Sequence, residues 1–279
     1  MRKHRRRIVI IRMFSFAVAA LVIALATGSG ATGLKRMYVL DCGRLIAKDQ
    51  SRWTPGVNVG QSRELSNNCY LFKHERGTLL WETGLPDSVT DQSGGVTSPN
   101  GALLWLRDKK LVSQLESVGV KPDDITYVAM SHSHADHTGN VRAFPKSKIL
   151  MQKAEHEFAM KMTPKPLTDD QNIQILSGDH DVFGDGSVKI ISTPGHTPGH
   201  QSLLVKLPKT GALILTGDLV HFRYMWDNKI VPSFNFNKQQ SLSSIERVIN
   251  LIAEHKAQLW IGHDKETTAR IDRAPKFYE

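Results

Sequence analysis

Two cysteines, Cys42 and Cys69, in 279 residues are too few to frame a disulfide-stapled mini-protein, and they lack the C-x-x-C spacing of a zinc knuckle. In an oxidising compartment they can bridge if their strands are neighbours; otherwise they read as two small buried thiols. Spacing does not decide between these, because a bridge depends on a Cα separation that sequence does not show. The chain also lacks repeats and low-complexity spacers, which excludes solenoids and arrays of linker-joined modules. Nor does its body carry much surplus charge. The formal net charge is +9, but Arg2, Lys3, Arg5, Arg6, Arg7 and Arg12 supply six of it, leaving +3 for the rest. With no basic, aromatic-interleaved stripe in that remainder, nucleic acid is not an expected partner.

Long apolar runs are missing except for Met13 to Ala26, which follows the basic start and ends in Ala24-Leu25-Ala26. A basic region, an apolar region and a small-residue end make up a secretory signal. The run is shorter than the ~20 residues that span a bilayer. Residues 1–26 are therefore expected to be a signal peptide and residues 27–33 a small-residue linker. On this reading the membrane is met only through the signal, and the mature protein is expected to be periplasmic or secreted. Arg5-Arg6-Arg7 fits a twin-arginine route as well as the general one.

What remains is 40% hydrophobic overall, enough for a real core. Strand-like and helix-like stretches mix along residues 34–279, which predicts one α/β domain. Strands are expected at Arg36–Leu40, Cys69–Phe72, Thr78–Trp81, Ile125–Met130, Lys148–Met151, Val188–Ser192, Ser202–Leu207, Ala212–Leu215 and Gln258–Ile261. Helices are expected at Leu103–Val118, Lys153–Met160 and Lys238–Glu254. Ile46 to Asn67, with Trp53, Pro55, Gly56 and Gly60, reads as a long loop.

The strongest chemical signal is His132-Ser133-His134-Ala135-Asp136-His137, directly after the apolar strand ending at Met130. Imidazole and carboxylate suit zinc, and a strand-to-loop junction presents alternate side chains toward one point. His132 and His134 can share one ion, while Asp136 and His137 turn toward a second. Three more ligand types sit just past apolar strands: His196 after Thr193-Pro194-Gly195, Asp218 after Thr216-Gly217, and His263 after Ile261-Gly262. One histidine alone is usually a surface or core residue, but four such strand ends together point to a metal centre. Asp218, with two oxygens, suits the bridging place. His200 is expected to pack behind the ligands, and His74, His156, His180 and His255 to be surface or structural. Trp226, Phe234 and Phe236 are either ordinary core or the lining of an apolar ligand pocket.

HSHADH, TPGHTPGH, TGD and IGHD, in this order and spacing, resemble the metallo-β-lactamase superfamily. Pro122-Asp123-Asp124, Thr193 to Leu203, Ser243-Ser244-Ile245 and Gly262-His263-Asp264 are most similar to the N-acyl homoserine lactonases. The resemblance implies an αβ/βα sandwich with a dinuclear site at one edge of its two sheets. It implies two Zn²⁺ per chain, a hydroxide bridging them that opens the lactone ring, and Asp136 as proton carrier. It also implies quorum quenching as the role, a small lactone or ester as partner, and a homodimer as a possible assembly. The family tyrosine three residues beyond the bridging aspartate is His221 here, which can donate a hydrogen bond to the substrate carbonyl in its place; Tyr224 is the alternative. The same ligand set also fits glyoxalase II-like thioesterases and phosphotriesterases; the alternative readings are a phosphotriesterase, an arylesterase or a periplasmic β-lactamase, with a non-catalytic metal- or lactone-binding protein further off.

Overall fold

The computed structural model describes residues 33–279. The expected signal peptide and all of the linker but Gly33 lie outside the described residues. The first strands are β1 (Leu34–Ala47), β2 (Arg63–His74), β3 (Gly77–Trp81), β4 (Val96–Thr97) and β5 (Leu103–Leu106), followed by helix α1 (Leu111–Ser117). Next come β6 (Tyr127–Ala129), α2 (Ala135–Thr138), β7 (Lys148–Gln152), α3 (Lys153–Ala159) and β8 (Ile173–Leu176). The chain continues through β9 (His180–Asp181), β10 (Val188–Ser192), β11 (Gln201–Leu207) and β12 (Gly211–Leu215). It ends with α4 (Arg223–Asn228), α5 (Lys238–His255), β13 (Gln258–Trp260) and α6 (Lys265–Thr268). An eight-stranded sheet runs β4-β5-β1-β2-β3-β6-β7-β8, and a five-stranded sheet runs β13-β12-β11-β10-β9.

Alternation along each strand sorts its side chains onto two faces. Met37, Val39, Tyr70, Phe72, Leu79 and Trp81 of the first sheet meet Ile190, Leu203, Val205, Leu213 and Leu215 of the second in one buried cluster. Their neighbours Tyr38, Leu40, Leu71 and Leu80 face the other way, against Leu111 and Leu115 of α1. On the far side, Ile191, Leu204 and Ile214 pack against Ile245 and Val248 of α5. The result is two sheets face to face with helices outside, the αβ/βα sandwich. Each fully buried aliphatic or aromatic side chain contributes roughly 1.5–3 kcal/mol through the area it removes from water. Helix α5 starts cleanly because Asn237 Oδ1 accepts from Gln240 N, a side-chain cap.

Two sequence-based expectations need correction. Leu103–Val118 is not one helix: Leu103–Leu106 pairs as a strand with the end of β1, Ala47 opposite Leu103 and Arg44 opposite Leu106, and only Leu111–Ser117 is helical. A short apolar run carries no period that separates helix from strand, so the partner strand decides. The loop expected at Ile46–Asn67 is shorter, because β1 runs on to Ala47 and β2 begins at Arg63. Cys42 and Cys69 are joined as a disulfide. By closing a separation of 27 residues it restricts the unfolded chain, an effect of about 3–4 kcal/mol in the chain-entropy account. Among the described residues no helix is long and apolar enough to cross a membrane.

Candidate metal centre

Four chain segments, one leaving the first sheet and three leaving the second, bring polar side chains to one edge of the sandwich. His132 and His134 leave β6, and Asp136 and His137 occupy the first turn of α2. His196 follows β10, Asp218 follows β12, and His263 follows β13. The donor atoms fall into two groups, His132, His134, His196 and Asp218 in one, and Asp136, His137 and His263 in the other, each within a 4.8 Å span. Asp218 joins them: its Oδ2 lies 3.4 Å from His196 Nε2 and 3.7 Å from His132 Nε2. Its Oδ1 lies 3.1 Å from His263 Nε2 and 3.2 Å from His137 Nε2. Asp136 Oδ2 is 3.5 Å from His263 Nε2 and 3.7 Å from His137 Nε2.

Such spacings match the ~3.4 Å edge of a tetrahedron built on ~2.0–2.1 Å bonds from zinc to nitrogen or oxygen. The chemistry of the donors agrees. Asp218 Oδ1 and His137 Nε2 are buried without any hydrogen-bond partner, a costly state that a cation between them would relieve. The outer nitrogens are already engaged. His263 Nδ1 donates to Ser66 O at 2.7 Å and His196 Nδ1 to Asn235 Oδ1 at 3.0 Å. His137 Nδ1 faces Glu82 Oε2 at 3.1 Å, and His132 Nδ1 faces Ser131 Oγ at 3.0 Å. With Nδ1 held this way, Nε2 points inward, the arrangement that fixes an imidazole for ligation. His134 differs, turning Nδ1 inward to 2.8 Å from His132 Nε2 and 3.2 Å from His196 Nε2. The residues present therefore fit a pair of divalent cations.

Electrostatics separates the two groups. Burial holds His132 and His196 well below the ordinary imidazole value. Burial also works against charge on His137 and His263, but the carboxylates beside them prevail and raise both. For Asp218, burial is outweighed by the imidazoles of His263, His221, His137 and His132, which hold its carboxyl well below the usual range.

His221 is buried, with Nε2 3.0 Å from Asp218 Oδ2. Its Nδ1 is buried without a partner. Trp53 and Phe234 meet its ring edge-on at 6.2 and 6.1 Å. Tyr224, on α4, is 47% exposed. His200 Nε2 accepts from Asp218 N at 3.0 Å, while Nδ1 donates to Thr193 O at 3.0 Å. Burial lowers His200 to about 4, which keeps it neutral and able to accept. Of the three aromatics, Phe234 also faces His196 at 6.0 Å, Trp226 packs on the outer core, and Phe236 is exposed. His74 is buried, paired with Asp185 at 2.8 Å and stacked on Phe183, far from a surface role. His156, His180 and His255 are half-buried.

Several supporting residues give no signal in the sequence. Glu155, on α3, is buried and accepts from Ser133 N and Oγ, Thr197 Oγ1 and Gly199 N at 2.8, 2.6, 2.6 and 3.1 Å. It ties the HSHADH loop to the TPGHTPGH loop, yet in sequence it is one charge on an amphipathic helix. Glu82 Oε1 accepts from Ser131 N at 3.1 Å, and Asn235 sits in a segment that reads as a plain loop. Gly195, at φ +140, lies against Ser241 of α5 so closely that a Cβ would collide with its backbone; this seats the His196 turn on the helix.

The Metallo-beta-lactamase superfamily model matches residues 62–254. An N-acyl homoserine lactonase of Bacillus sp is 33% identical over 240 residues, covering 84% of this chain and 94% of the relative. The N-acyl homoserine lactonase AttM of Rhizobium radiobacter is 31% identical over 259 residues, covering 87% of this chain and 98% of its own. A solved N-acyl homoserine lactone hydrolase, with the product N-hexanoyl-L-homoserine bound at its catalytic metal center, superposes with a TM-score of 0.79 at 30% identity, over 88% of this chain and 99% of that one. With fold, site and relatives in agreement, the chain belongs to the metallo-β-lactamase superfamily, among its N-acyl homoserine lactonases.

Proposed function

We propose that this protein hydrolyses the lactone ring of N-acyl homoserine lactones, with two zinc ions held by His132, His134 and His196 on one side, Asp136, His137 and His263 on the other, and Asp218 between them. The observation that carries the reading is the inward-facing donor set bridged by Asp218, on a scaffold shared with a relative that binds the ring-opened product at its metal center. When bound, the two ions supply a water made acidic near neutral pH and polarise the carbonyl. The protein's residues do the rest. Asp136, partly exposed beside the buried ligands, accepts the proton released during attack and delivers it to the ring oxygen as the C–O bond breaks. His221 Nε2 serves Asp218 Oδ2 in the resting enzyme and turns to the carbonyl oxygen as negative charge grows there. Phe234, 37% exposed above His196 and His221, and Trp53 behind it offer the apolar acyl chain a surface.

The deciding experiment follows hydrolysis of N-acyl homoserine lactones, a paraoxon-type ester and a cephalosporin by the purified protein. Lactone turnover that chelation abolishes and zinc restores is expected. Turnover of the other ester classes alone would move the substrate, and tight lactone binding with the ring intact would make the protein a binder. His221→Phe is expected to lower kcat about 100-fold with KM little changed, the size of a lost oxyanion donor. A fall in metal content instead would mean that His221 serves only to orient Asp218.

We also infer that the protein works outside the cytoplasm after removal of residues 1–26, as a single catalytic domain over 34–279. The Cys42–Cys69 pair supports this, since disulfides persist mainly in oxidising compartments. N-terminal sequencing of the protein recovered from the periplasm or medium tests it, and an intact Met1 in an active cytoplasmic pool would reject it.

A further inference from the structure

The disulfide lies where pairing between β1 and β2 lapses. The ladder is regular from Arg36 opposite Lys73 to Asp41 opposite Asn68 and resumes at Arg44 opposite Ser66, leaving Cys42 and Gly43 in a bulge. The bridge from Cys42 to Cys69, with Cα atoms 5.7 Å apart and both residues fully buried, ties the bulge to the regular ladder beside it, where Cys69 lies opposite Leu40. Each end leads to the same ligand group.

On one side, Cys42 O accepts from Leu85 N at 3.2 Å. Gly84, at φ +69, sits so tightly on Cys42 that a Cβ would strike its Cβ and Sγ. The turn seated there holds α2: Thr83 N and Thr83 Oγ1 both donate to His137 O at 2.9 Å, and Gly139 N donates to Gly84 O at 2.8 Å. On the other side, the residues just before Cys69 hold the remaining ligands. Asn67 Nδ2 donates to Asp136 O at 2.7 Å. Ser66 O accepts from His263 Nδ1 at 2.7 Å, and Ser66 N donates to His263 O at 3.2 Å. By contrast, His134 and His196 lean on the Glu155 bonds and on Asn235, which come from α3 and the segment before α5.

We propose that the Cys42–Cys69 disulfide is a positioning element for Asp136, His137 and His263, and leaves His132, His134 and His196 to other supports. The proposal rests on the metal reading above. It makes complete loading of the site depend on oxidation of this cysteine pair, through two strands whose backbone bonding is interrupted beside the ligands.

The test titrates metal-free protein with Co²⁺ and compares wild type with Cys42→Val/Cys69→Ala, which leaves no stray thiol to bind metal. Both dissociation constants are measured, and the imidazole N–H protons shifted by the paramagnetic ion are followed. One ion is expected to weaken by about 10- to 100-fold, the usual effect of losing ligand support. The shifted signals of His137 and His263 fade with it while that of His196 persists. Leu207→Ala, a buried truncation at the far end of β11, controls for general destabilisation. Two ions bound as tightly as in wild type, or both weakened together as in the Leu207 variant, would overturn the proposal. If the double variant does not fold, Thr83→Val keeps the disulfide and deletes one bond to His137; it should weaken the same ion, and unchanged binding of both would count against the proposal. Wild type that takes up no metal would sink the metal reading itself, a result distinct from any of these.

Discussion

Asp218→Asn is expected to lower kcat/KM for lactone hydrolysis by about 1,000-fold or more, roughly 4 kcal/mol of transition-state stabilisation, and to leave fewer than two metal ions per chain. Among the described residues Asp218 is the side chain whose two oxygens serve both groups, with Oδ2 toward His196 and His132 and Oδ1 toward His263 and His137. An amide keeps the shape but loses the anion and offers only one acceptor. His200 still holds the backbone in place through Asp218 N, so the variant tests the carboxylate and not the turn. Metal analysis beside steady-state kinetics checks it. Two ions per chain together with full turnover would show that Asp218 does not bridge.

The second large effect is structural. Glu155→Ala is expected to cost about 3–5 kcal/mol, since each buried donor left without its acceptor costs ~1–3 kcal/mol, with a fall in Tm of roughly 10 °C for a chain of this size. Four donors, Ser133 N, Ser133 Oγ, Thr197 Oγ1 and Gly199 N, lose their acceptor where Ser133, Thr197 and Glu155 are all buried, and unsatisfied buried donors carry the full desolvation cost. Because those donors flank His132, His134 and His196, activity at low temperature should also drop about 10- to 100-fold. Glu155→Gln, which keeps one carbonyl oxygen, should fall between the two proteins. Urea unfolding is the check, and a midpoint for Glu155→Ala equal to that of wild type would refute the role.

How much of this was legible beforehand follows the range of the forces involved. Strand faces were written locally: Met37 and Val39 against Tyr38 and Leu40, or Leu213 and Leu215 against Ile214, separate by a period of two whatever the rest of the chain does. Most strands and helices from β6 onward lie close to their expected bounds for that reason. The candidate ligands were legible because side chains of one chemistry recur just past apolar strands. Leu103–Leu106 misled because four apolar-rich residues pair with whatever lies beside them, and β1 lies there. For His74 the sequence left surface and structural roles open, because the partner that settles it, Asp185, is 111 residues away.

By itself, then, the sequence determined the alternating strand faces, one α/β domain and the seven candidate ligands, through local periodicity and side-chain type at strand ends, while the sandwich and the family came from the resemblance of its motifs. Only the tertiary structure decided that Cys42 meets Cys69, that Glu155 rather than another carboxylate ties two ligand loops, that Glu82 and Asn235 face His137 and His196, and that His221 rather than Tyr224 lies against Asp218. These are meetings between residues distant in sequence or turned by a backbone bend, and a hydrogen bond or disulfide reaches only a few ångströms; no spacing along the chain encodes such a distance.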